Sequence, residues 1–160
     1  MKISVDQIYN YLEEVKDPEI PVLSLVDLGV ITEVTIDGSR VKIEMTPTFV
    51  GCPALDIMKA DILTVLEKHG IGEVRIDVTF RKAWTSDRIS EKGKAALKEF
   101  GLAPPPPSMI FTQLEVLESA QCPRCDGTNT ELKTPFGATL CRAIYYCRDC
   151  KDAFEQFKPL

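Results

Sequence analysis

Four cysteines near the C-terminal end stand in two pairs, Cys122-Pro123-Arg124-Cys125 and Cys147-Arg148-Asp149-Cys150, with 21 residues between the pairs. The two-residue spacing lets two thiolates of one tight turn face a common point. A second turn of the same kind closes a tetrahedron of sulfur around a cation. The pattern predicts one ion, zinc, held by Cys122, Cys125, Cys147 and Cys150. Iron in the same four sulfurs fits the spacing as well. Disulfides are the competing use of paired cysteines. The N-terminal Met1-Lys2-Ile3-Ser4-Val5-Asp6, however, enters a helix pattern without an apolar export signal, so a reducing cytoplasm is expected. Four thiolates leave no open position for water or substrate. The ion is therefore expected to be structural, stapling a segment too short to fold on its own core. Cys141 is expected to be a small buried residue rather than a ligand.

Cys52 is the one cysteine outside the C-terminal segment. It lies between Gly51 and Pro53, just ahead of an expected helix. Unpaired amides and partial positive charge at a helix start favour the thiolate, which makes a better nucleophile or soft-metal ligand. A buried structural cysteine fits the local sequence equally well. Asp17, Glu19 and Asp27 are acidic residues of a proline-rich turn region. They suit metal binding or partner contact, but Asp before Pro and Asp near Gly are also ordinary loop devices.

Other chemistry is missing. His69 is the only histidine. It ends a helix, where its polarity suits the dipole, and one histidine rules out an internal diiron site with paired Glu-x-x-His motifs. No phosphate loop, dinucleotide fingerprint or Gly-x-Ser-x-Gly is present, so no self-contained active site is expected. The net charge of −5 is unevenly spread. Residues 1–83 carry −5, residues 84–118 carry −1 and residues 119–160 carry +1. None has the basic excess of a nucleic-acid binder. Hydrophobic residues make up 44% and charged residues 27%, which suits a globular fold. No apolar run approaches the ~20 residues that span a bilayer.

The elements that must position these groups are legible from periodicity. Ser4-Val5-Asp6-Gln7 reads as a capping box opening a helix with an apolar stripe at Val5, Ile8, Leu12 and Val15 that Pro18 ends. Val30, Thr32, Val34 and Ile36 alternate as a strand. Asp37-Gly38 is a hairpin turn, and Val41, Ile43 and Met45 return beside it. After the loop Thr46–Cys52, a helix buries Leu55, Met58, Ile62, Val65 and Leu66 and stops at His69-Gly70. Val74, Ile76, Val78 and Phe80 form a third strand, parallel to the second after a right-handed crossover. The fold class expected is α+β: a small α-β-β-α-β domain over residues 1–83, a connector over 84–118, and a four-cysteine ribbon over 119–160. The connector holds a helix from Ser90-Glu91 to Phe100 and the proline run 104–107, an extended spacer. Strand character in the ribbon falls at Thr130–Thr134 and Ala138–Tyr146.

Taken together, Asp17-Pro18-Glu19-Ile20-Pro21, Asp27-Leu28-Gly29 and Met45-Thr46-Pro47-Thr48-Phe49-Val50-Gly51-Cys52-Pro53 resemble the signature of the SufT-like iron–sulfur assembly domains, over about half the chain. Cys122-Pro-Arg-Cys, Phe136-Gly137, Cys141-Arg-Ala, Tyr146-Cys-Arg-Asp-Cys and Phe154-Glu-Gln-Phe157-Lys158 extend the likeness, so the whole chain is similar to the PaaD family, also called PaaJ. That family is assigned to the phenylacetyl-CoA 1,2-epoxidase system, with its diiron oxygenase and its flavin and iron–sulfur reductase. The resemblance implies an accessory protein, not catalytic alone, that helps assemble a metal centre. Cys52 would be the transient iron or cluster ligand, Asp17, Glu19 and Asp27 would shape its pocket, and the zinc ribbon would be a rigid docking module. Implied partners are the oxygenase and reductase subunits or a second copy in a homodimer, with neither nucleic acid nor membrane. A non-catalytic scaffold between oxygenase and reductase, or an electron carrier with iron in the four-cysteine site, are the alternatives. Typical assembly domains carry Met after Cys-Pro; here Ala54 stands in its place.

Overall fold

The computed structural model describes residues 3–106 and 120–159. The last proline of the run, the rest of the expected connector to residue 118 and the first residue of the expected ribbon, 119, lie outside the described residues. Two compact units form: residues 1–84 with 88–90, and residues 85–87 with 91–160.

The first unit opens with helix α1, Val5–Leu12. Its capping box is present: the Gln7 N–H donates to Ser4 Oγ at 3.2 Å, and the Ser4 N–H donates to Gln7 Oε1 at 2.9 Å. The helix stops a turn earlier than expected. Bonds from Glu14 N–H to Tyr11 O and from Val15 N–H to Leu12 O tighten the last turn, as helix ends do. Val15 is buried outside the helix, while Val5 is 37% exposed. Pro18 therefore sits in a loop already separated from α1. That loop is closed by a bridge between Lys16 and Ser24.

A one-turn helix that periodicity did not reveal, α2 (Leu25–Leu28), follows; Ser24 caps it and Gly29 ends it at φ 76°. Strands β1 (Ile31–Asp37) and β2 (Arg40–Met45) form the expected hairpin. A register shift between Ile31 and Glu33 breaks the alternation, so Ile31 as well as Val34 is buried. Helix α3 (Leu55–Lys68) buries Met58, Ile62 and Leu66, with Leu55 and Val65 half-buried. Strand β3 (Val74–Val78) then pairs parallel to β2, giving the order β1-β2-β3. Phe80 lies beyond the strand and is 51% exposed, so the alternating pattern overran the strand by one step. Val41, Ile43 and Met45 of the central strand are fully buried with Ile8, Leu12 and the α3 face, each worth about 2 kcal/mol of hydrophobic stabilisation.

Residues 84 and 88–90 strap onto the Asp27-Leu28-Gly29 turn of the same unit. The Trp84 indole N–H donates to Leu28 O at 3.0 Å. The Ser90 N–H donates to Asp27 O at 2.8 Å, and its hydroxyl donates to Asp27 Oδ1 at 2.6 Å. Gly29 is required twice: its φ is left-handed, and a Cβ there would stand 2.6 Å from both Cβ and O of Arg88.

The second unit begins with α4 (Glu91–Phe100), followed by β4 (Leu102–Ala103). Strands β5 (Thr130–Thr134), β6 (Arg142–Cys147) and β7 (Asp152–Phe157) complete a sheet of order β4-β7-β6-β5. Its pairs are antiparallel except β4 with β7. Part of the expected connector is thus a strand of the ribbon sheet. β6 starts four residues later than the sequence suggested, because 138–141 turn. Tyr145, Phe154, Ala143, Ala103 and Ala120 form a core cluster with Cys122 and Cys147, and Leu97, Leu102 and Phe157 are buried as well.

Gly29→Ala is expected to cost the first unit about 3 kcal/mol in urea unfolding, through strain and the clash with Arg88. Gly38→Ala, left-handed at φ 63° but in open space, is the control, at about 1 kcal/mol. Equal costs would contradict the strap.

Candidate functional site

The two Cys-x-x-Cys turns meet. Sulfur atoms of Cys122, Cys125, Cys147 and Cys150 all lie within 4.8 Å of one another. Cys122 and Cys150 Sγ are 3.7 Å apart, and Cys125 and Cys147 Sγ are 3.5 Å apart. Sulfurs around a tetrahedral zinc at ~2.3 Å stand roughly 3.8 Å apart, whereas a disulfide holds them at ~2.05 Å. All six cysteines are free thiols. The donor set fits one ion and closes it off from substrate.

Backbone geometry builds each turn in the same way. The residue after the second cysteine is left-handed in both, Asp126 at φ 58° and Lys151 at φ 59°. The Cys122 N–H donates to Gly127 O at 2.9 Å, and the Asp126 N–H donates to Cys122 O at 3.0 Å. Gly127 has no room for a side chain: a Cβ would lie 2.5 Å from Asp149 Oδ2 and 3.1 Å from Cys125 Sγ. Asp149 is itself held by the Asn129 side-chain amide at 3.0 Å. The backbone N–H of Cys150, helped by that of Asp149, holds the Cys147 thiol down to about 7. Lost hydration and the neighbouring sulfurs push Cys150 up to about 12. Cys141 is 6% exposed and lies outside the group; the Thr139 hydroxyl sits 3.0 Å from its sulfur.

Cys52 is half-buried at the start of the segment leading into α3. The expectation of an easily ionised thiol is corrected. Partial burial pushes the Cys52 thiol up from its ordinary 9.0, and the carboxylates of Glu19 and Asp17 push the same way. The N–H groups of Ala54 and Leu55 oppose them, as a helix start should, but do not prevail. Asp17 and Glu19 are therefore brought to Cys52 electrostatically. Asp17 Oδ1 also accepts from the N–H groups of Glu19 and Ile20, at 2.8 and 2.9 Å, and so fixes its own turn. Asp27 is committed elsewhere. Its carboxylate takes the hydroxyls of Ser24 at 2.9 Å and Ser90 at 2.6 Å. It is not among the groups that shift Cys52.

These parts define a class: an α/β assembly-type domain joined to a four-cysteine ribbon. Residues 5–78 match the family model of the iron–sulfur cluster assembly protein, and residues 106–158 match that of the PaaD zinc β-ribbon domain. A protein of Escherichia coli, provisionally named as one of the subunits of 1,2-phenylacetyl-CoA epoxidase, is 35% identical over 154 residues, 96% of this chain and 92% of its own. The chain belongs to this PaaD family. An Fe–S protein maturation auxiliary factor of Porphyromonas gingivalis is 39% identical over 94 residues, 58% of this chain and 89% of its own. Among solved structures, a domain of unknown function from Bacillus anthracis matches with TM-score 0.54 and 33% identity, covering 57% of this chain and 89% of its own. A conserved hypothetical protein of Thermotoga maritima matches with TM-score 0.52 and 30% identity, over 63% of this chain and 97% of its own.

Mass-mapped iodoacetamide labelling of Cys52 is expected to accelerate only as pH rises past the ordinary 9.0. A midpoint near neutrality would contradict the environment described.

Proposed function

We propose that the chain is an accessory protein of the phenylacetyl-CoA 1,2-epoxidase system in phenylacetate degradation, acting in the cytoplasm, and that it assists assembly of an iron–sulfur or diiron centre through Cys52. One observation carries this reading. A half-buried thiol under the influence of Asp17 and Glu19 belongs to an assembly-type domain, and the match to the epoxidase protein of Escherichia coli runs through both that domain and the ribbon. The maturation factor of Porphyromonas gingivalis, similar over the assembly domain alone, supports the same role for that part.

In this reading the ribbon's ion is zinc. It is held by Cys122, Cys125, Cys147 and Cys150, and it supplies a structural cross-link and no chemistry. The iron or cluster is cargo, with Cys52 as its sulfur ligand. Burial first, and then the charge of Glu19 and Asp17, hold the empty thiol above its ordinary value, so it stays neutral. The same charge attracts a cation, whose arrival favours loss of the proton to water. The site then rests as a neutral thiol and becomes a ligand on encounter with metal. Asp27 acts at one remove, by fixing the strap. The oxygenase and reductase subunits are the proposed partners, and the ribbon is their docking module. No helix among the described residues is long and apolar enough to cross a membrane.

Co-expression of Cys52→Ser with the oxygenase and reductase tests this. The variant is expected to keep its fold and its metal while the partners are recovered with less than half their normal iron. Normal iron loading, with stoichiometric co-purification, would overturn the maturation role in favour of a scaffold.

A further inference from the structure

The turn that joins β5 to β6 holds two large apolar side chains in solvent: Phe136 is 64% exposed and Leu140 is 61% exposed. We propose that this turn is where the second unit docks, and that its partner is a protein surface with an apolar pocket rimmed by carboxylates. The oxygenase and the reductase named above are the candidates, so this docking rests on that reading of the partners and not on the role given to Cys52.

The turn is built, not loose. The Phe136 N–H donates to Thr134 Oγ at 3.1 Å, and the Thr134 hydroxyl donates to Phe136 O at 3.2 Å. The Gly137 N–H donates to Arg142 O at 2.8 Å, and the Arg142 N–H donates to Thr139 O at 3.2 Å. Glu155 of β7 braces the middle. Its carboxylate accepts from the Ala138 N–H at 3.1 Å and from the Arg142 guanidinium at 2.9 Å. A Cβ at Gly137 would stand 2.9 Å from Glu155 Oε1 and 3.1 Å from Arg142 Cβ, which is why glycine follows Phe136. Arg142 is only 8% exposed, and an ion pair so withdrawn from water adds little net stability. Its effect here is a fixed shape. An aromatic side chain already held in place loses little freedom on association, so more of its burial appears as affinity.

Charge then selects the occupant. Lys158 Nζ lies 5.1 Å from the centre of the Phe136 ring and donates to Pro135 O at 3.1 Å. It has no carboxylate partner among the described residues. Glu155, the carboxylate bonded to the turn, is already matched by Arg142. The turn therefore shows a phenylalanine and a leucine beside an uncompensated ammonium, and carboxylates around an apolar pocket complement that set. Other occupants fit less well. Pairing of two copies turn to turn about a two-fold axis would bring the two Lys158 side chains together. Lasting attachment to an anionic membrane takes a cluster of cations or a second anchor, whereas residues 119–160 carry a net charge of only +1.

Calorimetric titration of the full, metal-loaded chain against purified oxygenase and, separately, purified reductase tests the assignment at low and high salt. Saturable binding to one of them is expected. Phe136→Ala should weaken it about tenfold or more, and Leu140→Ala should weaken it as well. Both variants should keep their metal and melting temperature, because both side chains lie outside the core. Lys158→Gln should weaken binding and flatten its dependence on salt. Phe80→Ala, at an exposed aromatic of the first unit, should change nothing. Binding that Phe136→Ala and Leu140→Ala leave intact would overturn the role of the turn while the partners stand. Binding to neither subunit would overturn the docking and the choice of partners together, whatever Cys52→Ser does to iron loading. Self-association, or capture by phosphatidylglycerol vesicles, that Phe136→Ala abolishes would give the turn to a different occupant and overturn the proposal.

Discussion

Four thiols drawn within 4.8 Å of one another cannot ionise together without a cation between them. The opposed pKa directions of Cys147 and Cys150 express that conflict. An ion bound there would resolve it by replacing four protons, and its binding energy would become folding energy. The packing around the site depends on this, since the core cluster that includes Cys122 and Cys147 holds one tyrosine, one phenylalanine and otherwise small residues. Cys122 and Cys147 belong to that cluster, so the same side chains that would hold the ion also pack the sheet.

The first unit rests on a different constraint. Its sheet and helices bury enough aliphatic surface to stand without a staple. What needs fixing is the ring of loops at the C-terminal ends of its parallel strands. The Asp27-Leu28-Gly29 turn does this by receiving three hydrogen bonds from Trp84 and Ser90 and by giving Arg88 room. The loop from Thr46 to Cys52 leaves the same end of β2. Cys52 therefore belongs to a loop that a rigid scaffold holds.

Much of this was legible in the sequence, because the relevant signals are local. The capping box of α1, the Asp37-Gly38 hairpin and the stripe at Met58, Ile62 and Leu66 are each set by residues within a few positions of one another. Cys-x-x-Cys spacing likewise brought four ligands together across an intervening hairpin. Non-local effects were hidden. The β1 bulge, the pairing of β4 with β7, and the exposure of Phe80 depend on tertiary partners. Cys52 illustrates the difference most plainly. Its helix-start position predicted a lowered pKa, but burial and two carboxylates from a loop over 30 residues away reversed the sign. Asp27 looked like a site residue, yet its oxygens hold Ser24 and Ser90.

In the proposed function five sulfurs divide the labour: four would fix structure and Cys52 would handle cargo. Metal analysis of protein purified without oxygen measures it directly. The account requires one zinc per chain, retained in full when Cys52 is replaced by serine and lost when Cys147 is. A chain without metal, or one whose resident ion leaves with Cys52, would contradict it.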